Sequence, residues 1–200
     1  MKPTTTADDW NRRYDTADTP WDTGLVSAEL RRIVESGCIP PSTAIEFGCG
    51  SGTNAIYLAQ RGFTVTAVDL ASTAIEQAEA KARAAGAQLT LLSGDVSKLA
   101  VAGPFDFVFD RGCYHCVRRA GLLDGYLATL ARVTKPGSRI LVLAGNADAG
   151  TEEGPPKVRA AELTAEFEPL CRIERLAAFH FEDAGGAVGP LGWSCLLSRR

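Results

Sequence analysis

The chain lacks any hydrophobic run long enough to span a bilayer, and its first residues contain no apolar signal region. It also lacks an excess of positive charge, since 21 lysines and arginines stand against 24 aspartates and glutamates, for a net charge of −3. The first absence excludes a membrane-spanning protein, and the second argues against electrostatic capture of nucleic acid. Together they predict a soluble cytoplasmic protein that binds neither a membrane nor a nucleic acid.

Disulfide and metal frameworks are also missing. The six cysteines do not follow disulfide-framework spacings, so the sequence predicts a reducing compartment. The segment Cys113-Tyr114-His115-Cys116 contains two cysteines and one of only two histidines, which are residue types that bind zinc. A structural zinc site usually needs a second matching pair, and the chain has none. We therefore expect no metal site.

The 200 residues, of which 46% are hydrophobic, predict one domain with a full core. Between residues 44 and 144, strand-like runs alternate with helix-like segments, which favours a parallel sheet with helices on both faces. The predicted strands of this part are Ala44–Phe47, Thr64–Asp69, Leu89–Ser93, Phe105–Phe109 and Arg139–Ala144. The predicted helices are Thr53–Arg61, Ala74–Ala85 with Ser72 as N-cap, and Leu122–Val133.

In the last part of the chain, two strands follow one another without a helix between them. These strands, Arg172–Phe181 and Trp193–Ser198, are joined by the short glycine-rich loop Glu182–Gly192. A loop of this length suits an antiparallel hairpin better than a crossover. The predicted fold is therefore α/β, with a Rossmann-like, doubly wound, mostly parallel seven-stranded sheet and a C-terminal antiparallel hairpin.

The most informative motif is Ile45-Glu46-Phe47-Gly48-Cys49-Gly50-Ser51-Gly52, in which a strand runs into a glycine turn and then a helix. Glycine tolerates positive φ and has no Cβ, so the backbone of such a turn can approach a ligand closely. A second acid, Asp69, ends the next strand, where an acid commonly holds ribose hydroxyls. The two features predict a site for a small molecule that carries a nucleoside.

The glycine spacing and Glu46 distinguish between two such molecules. The third glycine of a dinucleotide fingerprint is expected at position 53, which is Thr53 here. Glu46 precedes the glycines, where it repels a pyrophosphate and suits a cation. Charge complementarity therefore favours S-adenosylmethionine (SAM), which carries an ammonium and a sulfonium, over NAD. An NAD-dependent oxidoreductase is the disfavoured alternative.

These motifs resemble those of the class I SAM-dependent methyltransferases over nearly the whole chain. The resemblance rests on Glu46 to Gly52, Asp69-Leu70, Gly94-Asp95-Val96 and Phe105 to Asp110. It implies that Glu46 and the turn residues face the methionine part of SAM, and that Asp69 binds the ribose. It implies further that Leu70, Asp95 and Val96 contact adenine and that Asp110 lies near the amino-acid end and the methyl. The turn residues concerned are Gly48, Cys49, Gly50 and Gly52.

A narrower resemblance lies in residues 1–36, which contain the predicted helix Ser27–Glu35. Trp10-Asn11-Arg12-Arg13-Tyr14 and Thr19-Pro20-Trp21-Asp22-Thr23-Gly24 are similar to the N-terminal segment of the thiopurine, thiol and halide methyltransferase group, to which tellurite-resistance methyltransferases are related. The resemblance implies that residues 1–36 form a lid in which Trp10, Tyr14 and Trp21 contact SAM, and that Trp21 also contacts the acceptor. The alternative is that Trp10 and Trp21 only attach a tail to the core.

The candidate catalytic residues follow the fourth strand. His115 is the candidate general base, because an unperturbed imidazole accepts a proton near neutral pH. Tyr114 and Asp110 are its candidate helpers, and Arg111 is a candidate for holding an anionic substrate or lowering the pKa of a thiol. His115 and Arg111 are, through these roles, also candidate substrate contacts. In the alternative reading, His115 is a residue at a helix start whose ring nitrogen is already hydrogen-bonded.

The sequence thus predicts a SAM-dependent methyltransferase of a small molecule, with S-methylation of a thiol or related sulfur acceptor favoured. An O- or N-methyltransferase of a natural product is the alternative within the class, and a non-catalytic SAM-binding protein is the alternative outside it. A monomer or a homodimer is expected.

Overall fold

The computed structural model describes residues 6–148, 155–182 and 188–200. Its helices are α1 (Ala7–Asp15), α2 (Ala28–Glu35), α3 (Thr53–Gln60), α4 (Ser72–Ala84), α5 (Cys113–Arg119), α6 (Leu123–Val133) and α7 (Ala160–Phe167). Its strands are β1 (Thr43–Phe47), β2 (Thr64–Asp69), β3 (Leu89–Ser93), β4 (Phe105–Arg111), β5 (Thr134–Asn146), β6 (Lys157–Val158), β7 (Cys171–Glu182) and β8 (Val188–Arg199). Within these ranges, no helix has the length and apolar character needed to cross a membrane.

The described strands form one sheet in the order β3-β2-β1-β4-β5-β8-β7, and β6 pairs beside the end of β5. Strands β1 to β6 are paired in parallel, whereas β8 is antiparallel to both β5 and β7. The mostly parallel sheet with a terminal hairpin confirms the predicted fold class. The additional strand β6 was missed because two residues carry no recognisable periodicity.

Three local predictions need correction. Strand β8 begins at Val188, because pairing with β7 and the packing of Gly192 beneath Phe179 and Phe181 keep this glycine-containing stretch extended. Residues 183–187 of the predicted loop lie outside the described residues. Ser72 is the first residue of α4 rather than its cap, and the cap position is Ala71. In the segment predicted to be a lid, Ala7–Asp15 forms a helix, α1, which the polar sequence did not reveal.

Strand alternation decides which side chains share a face of the sheet. Phe47 packs beside Tyr126 of α6, with ring centroids 5.6 Å apart. Ala44 and Phe109 lie in the cluster on the other face, together with Leu30 of α2. Because successive strand residues point to opposite faces, Glu46 shares the face of Ala44. By the same rule, Asp110 points to the α6 face and Arg111 points back toward the α2 face.

The carboxyl ends of the central strands meet at one edge. Phe47 of β1 is in register with Val68 of β2 and with Asp110 of β4. The chain leaves β1 toward β2 and β3 on one side, while β4 and β5 lie on the other side, so the β1–β4 boundary is the switch point of the sheet. Ligands of open α/β sheets bind in the crevice at this point.

Candidate active site

The glycine turn directly follows β1 at the switch point. Gly48 and Gly50 adopt left-handed backbone conformations, with φ of +65° and +55°. A Cβ on Gly48 would lie 2.7 Å from the Cβ of Cys113, and a Cβ on Gly50 would lie 2.8 Å from the hydroxyl oxygen of Tyr14. Gly52 precedes α3, and a Cβ there would lie 2.9 Å from the Cβ of Ala78. The turn is therefore closely enclosed by α5, the lid and α4.

Asp69, at the end of β2, joins this turn to the next one. Its Oδ2 accepts a hydrogen bond from the Gly50 N–H at 2.8 Å, and its Oδ1 accepts one from the Ala71 N–H at 2.9 Å. Burial raises the pKa of the Asp69 carboxyl, while these backbone N–H groups oppose the rise. The carboxylate thus joins the turn after β1 to the turn after β2, and its predicted contact with ribose stays a prediction.

A small pocket, with a cavity volume of about 50 Å³, lies between the glycine turn and residues 21–25 of the N-terminal segment. Its walls are formed by Tyr14, Trp21, Asp22, Thr23, Gly24, Leu25, Glu46, Gly48, Cys49, Gly50, Thr53, Asn54 and Arg111. Seven of the sequence-predicted site residues are therefore brought together in one pocket: Tyr14, Trp21, Glu46, Gly48, Cys49, Gly50 and Arg111.

Glu46 is the buried acid of this pocket, with only 1% of its surface exposed. Its Oε1 accepts a hydrogen bond from the Asn54 side chain at 3.5 Å, and its Oε2 has no partner. Burial raises the pKa of Glu46 well above its usual range, whereas Asn54 and the charge of Arg111 oppose this rise. A buried carboxyl oxygen without a partner is costly, so Oε2 is an unused acceptor in the pocket wall, and the predicted contact of Glu46 with the methionine part of SAM stays a prediction.

Arg111 connects the pocket to the lid. Its Nη1 donates to the Trp21 carbonyl at 3.0 Å, and its Nη2 donates to Glu182 Oε2 at 3.3 Å. Glu182 Oε1 in turn accepts a hydrogen bond from the Ala28 N–H at the start of α2, at 2.6 Å. The Arg111 Nε is buried and has no hydrogen-bond partner. Arg111 therefore anchors the lid and keeps one donor for an anionic group, so its predicted substrate contact stays a prediction.

The aromatic residues of the lid form one cluster above the turn. Trp21 Nε1 donates to the Tyr14 hydroxyl at 3.2 Å, and the Trp10 and Trp21 ring centroids are 5.5 Å apart. The Arg13 guanidinium lies 4.1 Å from the centroid of the Trp21 ring. Tyr14 and Trp21 line the pocket, whereas Trp10 is not among the lining residues. This arrangement favours the predicted ligand role for Tyr14 and Trp21, and the attachment role for Trp10.

Asp110 and Tyr114 are fully buried in the core and do not line the pocket, so their predicted support of His115 stays a prediction. The Asp110 carboxylate accepts hydrogen bonds from the N–H groups of Cys113 and Tyr114 and from the hydroxyl of Tyr126 at 2.9 Å. Burial raises the pKa of Asp110 to about 7 despite these donors. The Tyr114 hydroxyl donates to Glu166, and its ring packs 5.1 Å from Phe167. Glu46 is in register with Phe109, so Asp110, the next residue of β4, points to the opposite face of the sheet. The side chain of Asp110 therefore faces α6, whereas that of Glu46 faces α2.

His115 is buried, with 4% of its surface exposed. Its Nδ1 accepts a hydrogen bond from the Gly145 N–H at 3.1 Å, which places the proton of the neutral ring on Nε2. Burial, followed by the charges of Arg119 and Arg111, lowers the pKa of His115 to about 3. The structure therefore favours the alternative reading of His115, a helix-start residue with a satisfied ring nitrogen, over the general base.

The residues predicted to contact adenine lie at the ends of β2 and β3, outside the described pocket. Asp95 accepts hydrogen bonds from the Ser97 N–H at 2.8 Å and hydroxyl at 2.7 Å, and Val96 is buried in the main core. The Gly94 N–H donates to the Asp69 carbonyl at 2.8 Å, which joins the two strand ends. The adenine contacts of Leu70, Asp95 and Val96 stay predictions.

Several pocket residues were not singled out from the sequence. Asp22, Thr23, Gly24 and Leu25 line the pocket, and the first three belong to the N-terminal segment whose resemblance pointed to the lid. Asn54 was recognisable as an isolated polar residue in the first turn of the apolar helix α3; its Oδ1 accepts a hydrogen bond from the Ser27 N–H at 2.9 Å. Glu182 gave no local signal, since only folding brings it to Arg111.

This parallel sheet, with a glycine turn after β1, an acid at the end of β2 and a buried acid beneath the pocket, defines a class I SAM-dependent methyltransferase. Residues 5–185 match the thiopurine S-methyltransferase family, and the chain belongs to that family. It is 26% identical over 183 residues to a probable thiol methyltransferase 2 of Arabidopsis thaliana, and the alignment covers 90% of this chain and 79% of that protein.

Solved structures share the fold. The structure of a protein studied for the conversion of a disulfide bond into a thioacetal group during echinomycin biosynthesis has a TM-score of 0.83 at 23% identity, covering 97% of this chain and 93% of the other. A 1,6-didemethyltoxoflavin-N1-methyltransferase of Burkholderia thailandensis, solved with its substrate and S-adenosylhomocysteine (SAH), has a TM-score of 0.76 at 19% identity, covering 96% and 86%. The family makes SAM the cofactor of this chain and methyl transfer its reaction.

Proposed function

We propose that this methyltransferase acts on a small molecule and methylates the sulfur of a thiol or a related sulfur acceptor. The observation that carries the proposal is the state of His115, whose Nδ1 already accepts a hydrogen bond and whose pKa is lowered to about 3. A thiol, with an ordinary pKa of about 8.5, needs only a modest lowering of its pKa to react as a thiolate near neutral pH, whereas an alcohol or amine often needs a base. The relationship to a thiol methyltransferase of Arabidopsis thaliana supports the same acceptor.

The pocket residues explain how the cofactor is held. When bound, SAM supplies an activated methyl group on a positively charged sulfur. Glu46 offers its unpartnered Oε2 to the ammonium, and the buried Nε of Arg111 is a donor for the carboxylate of the same amino-acid group. Tyr14 and Trp21 supply aromatic faces, which attract cations and exclude water. Asp69 is the residue for the ribose hydroxyls, as the resemblance implies.

An N- or O-methyltransferase is the second candidate, and Asp22 is the observation that favours it. Its carboxylate lies in the pocket wall, where it offers a proton acceptor to an amine or a hydroxyl. The fold shared with the toxoflavin N1-methyltransferase is compatible with this chemistry. Asp22 is therefore the candidate general base if the acceptor is an amine or a hydroxyl rather than a thiol.

A matched acceptor panel tests the proposal. Purified protein and SAM are incubated with aromatic thiols, phenols and amines of the same ring skeleton, and products are identified by mass. We expect methylated thiols with turnover at least about tenfold above the phenol and amine of the same skeleton. Methylation of phenols or amines with inert thiols would reject the sulfur acceptor and support the role of Asp22.

Two substitutions of His115 test whether it acts as a base. His115→Asn keeps an acceptor for the Gly145 N–H, so we expect turnover of a thiol within about threefold of wild type. His115→Ala removes the acceptor and leaves a cavity, so it should unfold at a lower temperature. We expect no inflection in the wild-type pH profile of kcat from an imidazole near pH 6.5. An equal, large loss of kcat in both variants would instead identify His115 as the base.

The remaining proposals concern organisation and location. We propose one domain over residues 1–200 with residues 1–36 as its lid, because α1 packs on α4 and the loop after α1 lines the pocket. A cytoplasmic location is supported by the six cysteines, all of which are free thiols. A monomer or homodimer that does not bind nucleic acid is in keeping with the net charge of −3.

A further inference from the structure

Helix α4 begins without a cap of its own. The cap position is Ala71, which has no side-chain acceptor for the first N–H groups of the helix. Asn, Asp, Ser or Thr normally accepts a hydrogen bond from the second or third N–H group at this position. The first N–H groups of α4 must therefore donate hydrogen bonds either to another part of the chain or to water.

The acceptor comes from the lid helix. Asn11 Oδ1 of α1 accepts hydrogen bonds from the Thr73 N–H at 3.1 Å and from the Ser72 hydroxyl at 3.4 Å. Thr73 is the second residue of α4, so Asn11 occupies the place of an N-cap side chain. Asp15, one turn further along α1, accepts a hydrogen bond from the Thr73 hydroxyl at 3.1 Å.

The apolar contact beside this cap lies on the same face of α1. Tyr14 is buried against Ala71 and Ala74 at the start of α4. Asn11, Tyr14 and Asp15 share one helix face because they are three and four residues apart. One helix face therefore supplies both the polar cap and the packing.

The capped segment adjoins the turn predicted to bind ribose. This turn starts at Asp69, whose carboxylate accepts hydrogen bonds from both the Ala71 and the Gly50 N–H groups. These hydrogen bonds are the route by which a displacement at the start of α4 would reach the Asp69 turn and the glycine turn. The lid contact and the predicted ribose contact are only a few residues apart.

We propose that Asn11 is a positioning residue, which supplies the N-cap that α4 lacks and so couples docking of helix α1 to the geometry of the Asp69 turn. The proposal rests on the adenosyl cofactor and not on the identity of the acceptor. SAH binding therefore tests it separately from the sulfur proposal, since no methyl acceptor is present in the assay.

The first experiment measures SAH affinity by calorimetry and amide exchange by NMR for Asn11→Ala and Asn11→Asp. Loss of an N-cap costs about 1 kcal/mol, which corresponds to a roughly fivefold weaker SAH affinity if the full cost falls on binding. We expect this loss in Asn11→Ala, with faster exchange of the Thr73 amide. Asn11→Asp keeps the acceptor and should bind SAH within about twofold of wild type.

A second variant separates positioning from simple helix stabilisation. Ala71→Ser in the Asn11→Ala background gives α4 a cap of its own but does not reattach α1. We expect protection of the Thr73 amide to recover, while SAH affinity stays weakened and the Tyr14 amide still exchanges fast. Unchanged SAH affinity in Asn11→Ala, or its full recovery on adding Ala71→Ser, would overturn the proposal.

Discussion

Glu46→Gln is expected to weaken SAH binding by about 10- to 100-fold, because a hydrogen bond to a charged group contributes about 1.5 to 3 kcal/mol. The same variant should unfold at a higher temperature than wild type when no ligand is present. The wild-type carboxylate is buried with an unpartnered Oε2, and a neutral amide of the same shape removes the uncompensated charge. Calorimetry with SAH and thermal unfolding without it measure the two effects.

The pH dependence of the free energy of unfolding, measured without ligand, also reports the burial of the Glu46 carboxyl. Burial raises the pKa of Glu46 in the folded state above the value of 4.5 expected for the unfolded chain. Its stabilising contribution is therefore fully present below about pH 4.5 and is lost as the pH rises through the folded-state pKa. The free energy of unfolding of wild type should fall over this range relative to that of Glu46→Gln.

Glu29 on α2 provides a matched control, because its pKa is lowered in the folded state whereas that of Glu46 is raised. Although burial acts to raise it, hydrogen bonds from Arg32, Ser194 and Arg175 lower the pKa of Glu29 to about 2. Glu29→Gln should therefore destabilise the protein above about pH 4.5, with a loss that disappears as the pH falls toward 2. SAH affinity should change little. If Glu46→Gln binds SAH like wild type, the ammonium assignment is wrong.

Asp69→Ala is expected to weaken SAH binding by more than about 100-fold, since it removes a charged acceptor and releases two turns at once. The hydrogen bonds to Gly50 and Ala71 both end on this carboxylate. Calorimetry measures the dissociation constant, and Asp106→Ala is the control. Asp106 is an acid of β4 that pairs with Lys135 and Thr43 away from the pocket, so its loss should leave SAH affinity unchanged.

A double-mutant cycle separates the ribose contact from the support of the turns. SAH and its 2′-deoxy analogue are compared in wild type and in Asp69→Ala. If Asp69 binds the ribose, removing the hydroxyl weakens binding in wild type and has little further effect in the variant. An equal loss in both proteins, or an unchanged dissociation constant in Asp69→Ala, would reject the ribose role.

The pocket residues that belong to short sequence motifs could be predicted from the sequence. Glycines at alternate positions after a strand predict a tight turn, and the acid before them, Glu46, predicts a cationic ligand. The recurrence of Trp10, Tyr14 and Trp21 in an otherwise polar segment predicts that this segment packs on the domain, and α1 does pack on α4. The sequence did not reveal the burial of Asp110, Tyr114 and His115, which lie at or after the end of β4. Their position along the chain is local information, whereas the direction of their side chains depends on the packing of the sheet.

The sequence by itself determined the five parallel strands between residues 44 and 144, the terminal hairpin, the turn after β1 and the cofactor class, because each gives a local pattern; α1 and β6 gave none and were missed. Only the tertiary structure decided which of these residues reach the pocket. Strand register set the opposite faces of Glu46 and Asp110, burial set the protonation of His115, and folding brought Glu182 to Arg111 and Asn11 to α4. Such contacts depend on distances between segments far apart in the chain, which local patterns do not encode.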